Sequence, residues 1–218
     1  MEQLMRRPLP VRGLAMIALR VFRTRVAMSA DANAAIVNGR AIVCANHVSL
    51  LDGVLIAFAS PAPLVFAVDP AYARNGRVAR WGLNILSRLG FGDVVPLDMN
   101  TPYGLRTLRR ALERGRGVMV FPEGCISPDG RPQAEQPGVT WLAARTGATI
   151  VRLSICGAET SRLFSKSGRQ WWPQIRIESE SMPRSRHGSS SEMLQSQGGT
   201  VWTRVVHVRT EPGESLYQ

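Results

Sequence analysis

Residues 41–58 read AIVCANHVSLLDGVLIAF, an apolar run, a polar turn and a second apolar run. The first run, 41–45, predicts a short buried strand, and the second, 53–58, predicts a helix. Between the two runs, His47 precedes Asp52 by five positions. A carboxylate at the start of a helix can fix the tautomer of a histidine that faces a cleft. A general base acting on an alcohol near neutral pH requires such a pair.

A purely structural interpretation explains part of this pattern. Ser49 as the N-cap of the helix, with Asp52 three residues later, would form a capping box. A capping box does not account for Asn46 and His47, because a buried polar pair at a strand end needs hydrogen-bond partners. Since a histidine and an aspartate at this spacing often arise by chance, a second motif is required.

The second motif lies at 117–124, where the sequence reads GVMVFPEG. Residues 117–121 predict another short apolar strand, which Pro122 ends because proline cannot donate to a strand ladder. Gly124 can take a positive φ angle. Glu123 is therefore expected at the end of a strand, where α/β proteins bind their ligands.

Together the two motifs resemble those of the glycerolipid acyltransferase family, which carries N-H-x4-D followed by F-P-E-G. Within that family, the closer similarity is to the acyltransferase domain of the bacterial bifunctional 2-acylglycerophosphoethanolamine acyltransferase/acyl-carrier-protein synthetase. The resemblance runs from about residue 40 to 182. Its further segments are Val65–Val68, Val95–Asp98, Gly147–Thr149, Gly157–Glu159 and Pro173–Ile175.

The resemblance implies transfer of an acyl group from a thioester to a hydroxyl of a lysophospholipid. It makes His47 the base and Asp52 its orienting partner, and it assigns Glu123 and Gly124 to acceptor binding. Physically, Asn46 would orient the imidazole or donate to the developing oxyanion, for which backbone N–H groups from Ser49 to Asp52 are alternative donors. The co-substrate is expected to be an acyl-carrier-protein or coenzyme A thioester, with no cofactor and no metal.

Three segments depart from the family pattern, and two of these departures remove an arginine expected to hold the acceptor's phosphate group. Asp98 stands where the family commonly has an arginine, Cys125 and Ile126 follow Gly124 where the family has threonine and arginine, and Arg152 stands in place of a proline. Arg152, Arg106 or Arg131 would have to replace the missing cations. Asp98 is compatible with an acceptor that carries an ammonium group, although it also fits a solvent-exposed turn.

The composition predicts one domain of 218 residues with reduced cysteines, since Cys44, Cys125 and Cys156 are odd in number and lie in or beside predicted strands. Cys125 as a nucleophile is disfavoured because His47 suits direct transfer. The net charge of +11 favours anionic lipid headgroups or an acidic carrier protein as partners. Nucleic acid is not expected, because no recognised binding motif is present.

Three regions are predicted along the chain: an arginine-rich amphipathic helix over residues 1–30, a catalytic domain over 31–182, and a partly mobile segment over 183–218. The helix is too short in its uncharged part to span a bilayer, so it is expected to lie in the membrane interface or to pack on the domain. Without a convincing signal peptide, the protein is expected on the cytoplasmic face of the inner membrane.

Strands and helices alternate along the catalytic region, which predicts a single α/β domain with a largely parallel or mixed sheet flanked by helices. Strands are expected at 64–68, 94–95, 149–155 and 171–178, and helices at 72–89, 102–113 and 138–146.

Two other functions are compatible with the same two motifs. One is acylation of a non-phosphate amphiphile, such as an amino-acid lipid or a polyketide; the other is non-catalytic binding of lipid or carrier protein.

Overall fold

The computed structural model of the chain describes residues 9–68, 87–96, 103–131 and 133–180. The α-helices whose bounds lie within those ranges are α1 (Leu9–Val21), α2 (Ala30–Asn38), α3 (Asp52–Ala59), α4 (Tyr103–Glu113) and α5 (Gly138–Thr146). The strands are β1 (Thr24–Ala27), β2 (Ala41–Ala45), β3 (Leu64–Val68), β4 (Gly92–Pro96), β5 (Gly117–Val120), β6 (Thr149–Cys156) and β7 (Ile175–Ser179).

The seven strands form one sheet in the order β1-β7-β6-β2-β5-β3-β4. Every neighbouring pair is parallel except β6 with β7, which run antiparallel. The predicted α/β fold with a largely parallel, mixed sheet is therefore confirmed. Strand β2 lies in the middle with all five residues buried, as a parallel strand covered on both faces must be.

Helices cover both faces of the sheet, and alternate strand residues supply the two halves of the core. On one face, α1, α2 and α3 pack against residues such as Val43, Met119 and Leu153. On the other face, α4 and α5 pack against Ile42, Val118 and their neighbours. Because β2 and β5 are adjacent and parallel, the segments that follow them emerge at the same edge of the sheet.

Several local predictions are confirmed, including the strands at 64–68, 117–121 and 149–155 and the helix over 138–146. The predicted strand at 171–178 begins only at Ile175, after a tryptophan pair and Pro173. Most of the predicted helix over 72–89, Asp98 and the C-terminal segment 183–218 lie outside the described residues.

The prediction of one helix over residues 1–30 is wrong beyond Val21. Arg23 takes a positive φ of 49°, and the chain then enters β1, which pairs in parallel with β7. Helix α1 packs on the domain through Ala15, while Leu14 and Ile17 are exposed. Within the described part of the chain, no helix has the length and apolar character to span a bilayer.

Candidate active site

His47 lies two residues beyond the end of β2, in the turn that leads to α3. Its Nδ1 atom is 3.0 Å from Oδ2 of Asp52, the first residue of α3. The imidazole is partly exposed, at 19% of its side-chain surface, whereas the Asp52 side chain is fully buried. Within the described residues, Nε2 of His47 has no hydrogen-bond partner, so this nitrogen is available to a substrate.

The surroundings of Asp52 fix the tautomer of His47. Oδ2 accepts the backbone N–H groups of Val48 and Ser49, each at 2.7 Å, and Oδ1 accepts the Ser49 hydroxyl at 2.6 Å. A carboxylate has only acceptor oxygens, so its contact with the imidazole requires Nδ1 to donate. In the neutral ring, Nε2 then carries the lone pair, which is the state of a base.

The predicted capping box forms only in part. Helix α3 begins at Asp52, and its N-cap is Leu51 rather than Ser49. The Asp52 carboxylate does accept the Ser49 N–H, but the Ser49 hydroxyl donates to the carboxylate and accepts the Leu51 N–H at 3.2 Å. Ser49 is completely buried, so its side chain holds the acid and does not face a substrate.

Backbone amides of this turn were the alternative donors to an oxyanion, and the structure contradicts that alternative. The amides of Val48 and Ser49 donate to Asp52, and the Leu50 amide donates to the Phe164 carbonyl at 2.8 Å. The Leu51 and Asp52 amides both donate to oxygens of Ser49. Each N–H in the turn therefore already has an acceptor.

Asn46 neither orients the imidazole nor points to the cleft, contrary to both predicted roles. Its Nδ2 donates to the Ile155 carbonyl at 2.9 Å, and its Oδ1 accepts the Ile155 N–H at 2.7 Å. The side chain thus continues the β2–β6 ladder past the end of β2. The Ile155 backbone is thus the hydrogen-bond partner that a polar residue at this position needs. Through these two bonds, Asn46 fixes the backbone just before His47.

The second motif meets the first at the same sheet edge. The ring of Phe121 stacks on the imidazole of His47, with centroids 3.9 Å apart and planes 12° from parallel. Gly124 has a φ of 76°, as predicted for a turn that only glycine adopts without strain. Phe121 was absent from the predicted site. Its contact follows from the adjacency of β2 and β5, which the sequence does not specify.

Glu123 is buried rather than exposed in an open groove. The backbone amides of His47 and Gln133 form hydrogen bonds with its carboxylate, but Oε2 has no partner within the described residues. Burial raises the pKa of Glu123 above its usual value, and the two amides oppose that rise only in part. Glu123 therefore supports the backbone of His47 directly.

The loop after Gly124 completes the connection between the two motifs. The Ser127 amide donates to the His47 carbonyl at 2.7 Å, so both backbone groups of His47 are held by residues 123–127. Ser127 is fully buried, and its hydroxyl donates to the Arg131 carbonyl at 2.8 Å. Its role was missed because a serine in a polar loop carries no distinguishing sequence signal.

Arg152 lies on β6 beside Cys44 of β2 and forms a bidentate ion pair with Glu135, at 2.5 and 3.0 Å. The hydrogen bond to Glu135 raises the pKa of the guanidinium group. Arg131 is 3.8 Å from Asp129, and Arg106 is exposed on α4. In the described ranges, no three histidine, cysteine or acidic side chains come together as a metal site would require.

Three comparisons with known proteins bear on this site. The sequence profile of the family described as Acyltransferase matches residues 23–155. The chain is 30% identical over 88 residues to the chloroplastic 1-acyl-sn-glycerol-3-phosphate acyltransferase LPAT1 of Arabidopsis thaliana, covering 37% of this chain and 25% of that protein. This chain thus spans about a quarter of the length of that relative.

Among solved structures, the chain is similar to the 1-acyl-sn-glycerophosphate acyltransferase PlsC of Thermotoga maritima, with a TM-score of 0.56. The match has 23% sequence identity and covers 83% of this chain and 70% of that one. At this level of identity the similarity shows a shared fold.

Proposed function

This chain belongs to the acyltransferase family, and on that premise we propose that it transfers a fatty acyl group from a thioester to a hydroxyl of a lysophospholipid, with His47 as the general base. The observation that carries the proposal is the tautomer in which the His47 imidazole is held. Asp52 holds Nδ1 of His47 as a donor, and the opposite nitrogen is free among the described residues.

The proposed reaction needs one proton to move twice. Nε2 of His47 takes the proton of the acceptor hydroxyl as that oxygen attacks the thioester carbon. The tetrahedral adduct then expels the thiolate, and the imidazolium returns the proton to sulfur. Asp52 stabilises the imidazolium between these steps, and Phe121 restrains the ring. General-base help of this kind contributes about 10²–10⁴ in rate.

The proposed acceptor is a lysophospholipid, and the proposed donor is either of two thioesters. The relative and the solved structure described above are both named for acylation of an acylglycerol phosphate, which supports a lysophospholipid acceptor. Acyl-carrier protein and coenzyme A thioesters are both anionic, and the net charge of +11 suits either donor. We assign acceptor placement to the turn that holds Glu123 and Gly124. Because Glu123 is buried, we propose that it acts there by fixing the His47 backbone and not by contacting the acceptor.

The direct test is transfer of a radiolabelled acyl chain from each thioester to a panel of lysophospholipids. We expect His47→Ala to lower the rate about 10²-fold or more. Cys125→Ser is the matched control, because Cys125 is exposed in the neighbouring loop and donates only to the Gln133 side chain, at 3.2 Å. Equal rates for wild type and His47→Ala would refute the proposal. A wild type inert with every donor and acceptor would favour a non-catalytic binding protein.

A second candidate is acylation of a non-phosphate amphiphile. It is favoured by Arg152, whose guanidinium is already bound to Glu135, and by Cys125 and Ile126 in place of a threonine and an arginine. Adding amino-acid lipids to the same panel separates the two candidates.

Asp98, which lies outside the described residues, is proposed to favour an ammonium-bearing headgroup. Asp98→Arg should then shift the preference from lysophosphatidylethanolamine toward lysophosphatidate.

We also propose that the protein works at the cytoplasmic face of a membrane. Helix α1 supports membrane contact, because Leu14, Ile17 and Val21 form an exposed apolar strip on the side that does not pack on the domain. Arg20 lies beside that strip and is exposed. Such a helix can lie in the interface while remaining docked on the protein.

A further inference from the structure

A loop between β6 and β7 exposes large apolar side chains to solvent. This segment, residues 161–173, is named here the tryptophan loop. Trp171 is 61% exposed, Trp172 45% and Leu163 48%. Exposed large apolar side chains that lie singly need no explanation, but a group of them marks an interaction site.

The tryptophan loop is held in place, so its exposed side chains form a fixed surface. Its two ends are joined by hydrogen bonds from the Arg162 amide to the Gln170 carbonyl, at 2.7 Å, and from the Gln170 amide to the Thr160 carbonyl, at 2.8 Å. Trp172 donates its indole N–H to the Val21 carbonyl at the end of α1 and stacks on Phe22. A Cβ atom at Gly168 would lie 2.2 Å from the Ser161 carbonyl oxygen, so the turn requires glycine.

The charges carried by the tryptophan loop itself are all positive. Arg162, Lys166 and Arg169 are exposed, and no acidic residue occurs between Glu159 and Glu178 in the sequence. The guanidinium carbon of Arg162 lies 4.7 Å from the centre of the Trp171 ring. At the end of α1, Arg23 is also exposed and donates to the Trp172 carbonyl at 3.2 Å. Within the described ranges, none of these cations forms an ion pair.

The tryptophan loop also borders the proposed active site. The Leu50 amide, in the turn between His47 and Asp52, donates to the Phe164 carbonyl. The Lys166 ammonium group donates to the Ile126 carbonyl at 3.4 Å, and Ile126 immediately precedes the serine that holds the His47 carbonyl. Whatever binds the tryptophan loop therefore lies next to the catalytic turn.

We propose that the tryptophan loop, together with the end of α1, docks on an anionic lipid bilayer. Indole rings prefer the interface, where the ring is apolar and the N–H is near water. The arginine and lysine side chains face the negative lipid headgroups. The inference rests on the proposed function, because docking here places the His47 turn where a lipid acceptor can reach it from the membrane.

The test uses vesicles of phosphatidylcholine, with and without phosphatidylglycerol, and measures sedimentation with the vesicles and quenching of tryptophan fluorescence by brominated lipid. Wild type should bind the anionic vesicles, and salt should weaken that binding. The Lys166→Glu, Arg169→Glu double variant should bind about tenfold more weakly or worse. Trp171→Ala should bind at least about fivefold more weakly and lose part of the quenching.

Trp141→Ala is the matched control, since Trp141 is 38% exposed and has Arg145 5.9 Å from its ring centre. It lies on α5, which packs on the opposite face of the sheet, and the substitution should leave vesicle binding unchanged. Unchanged binding in both loop variants, or an equal loss in Trp141→Ala, overturns the proposal. So does a lipid-free dimer, detected by sedimentation velocity, that Trp171→Ala abolishes while vesicle binding persists.

Failure of this inference can be told apart from failure of the proposed function. His47→Ala should bind vesicles as wild type does, whether or not the protein acylates any acceptor. In the other direction, Trp171→Ala should still acylate a short-chain acceptor dispersed below its micelle concentration. Loss of that transfer in Trp171→Ala would place the loop in the reaction and contradict docking as its role.

Discussion

At the scale of single residues, the proposed chemistry depends on the charge of Asp52. An asparagine can place its oxygen at the position of Oδ2, keep the Val48 and Ser49 amides, and donate its amide group to the Ser49 hydroxyl oxygen. Asp52→Asn should therefore fold but lose the charge that stabilises the imidazolium. We expect kcat to fall about 10²- to 10⁴-fold with a nearly unchanged melting temperature. Retained activity would show that Asp52 serves only the turn.

Glu123 allows a prediction for pH-dependent stability. Because burial raises its pKa above the usual 4.5, the folded state holds this proton at pH values where the unfolded state has lost it. Glu123 therefore lowers the free energy of unfolding as pH rises above about 4.5, by about 1.4 kcal/mol at neutral pH for each unit of pKa rise.

Glu123→Gln removes that titration and keeps an oxygen for the His47 and Gln133 amides. Urea unfolding should show that wild type loses stability relative to the variant between pH 4.5 and 7. Groups that titrate in both proteins cancel in this difference. A difference that stays flat, or that grows in favour of wild type as pH rises, would contradict a raised pKa.

Among the secondary-structure elements, the sequence predicts β2 and β5 well because each is a short apolar run that ends in a polar turn. It also predicts that Asn46 needs a partner, but it does not identify β6 as that partner. Strand β1 was missed for a related reason. Thr24–Ala27 is a mostly exposed edge strand with an arginine inside it, and only pairing with β7, about 150 residues away, makes it a strand.

The contact between Asn46 and β6 predicts a loss of stability. Asn46→Ala leaves the Ile155 N–H and carbonyl without their partners at the end of the β2–β6 ladder. We expect the free energy of unfolding to fall by about 1–3 kcal/mol in chemical denaturation. Asn33→Ala on α2 is the control, because Asn33 makes one longer hydrogen bond, 3.3 Å to the Met28 carbonyl. An equal or larger loss in the control would remove the special role of Asn46.

For the molecule as a whole, the alternation of strands and helices was enough to predict the fold class, and the two motifs were enough to place His47 and Glu123 at one edge of the sheet. The sequence does not predict the side-chain and backbone contacts that join the two motifs. The stacking of Phe121, the hydrogen bond from Ser127 and the ion pair of Arg152 with Glu135 all depend on strand order and register. Non-local pairing of this kind leaves no periodic signal along the chain.

Cys44 provides a measure of how cooperatively this sheet opens. Its thiol lies in the central strand β2, and burial raises its pKa to about 12, so it reacts at pH 8 only after the sheet opens. In a Cys125→Ser, Cys156→Ser variant, we expect Cys44 to react with a thiol reagent at least about a thousandfold more slowly than exposed Cys156 does when Cys156 is the one cysteine left. Its dependence on urea should match that of global unfolding. A shallower dependence would mean that β2 becomes exposed by local opening, and the edge that carries His47 would then be less rigid than its hydrogen bonds imply.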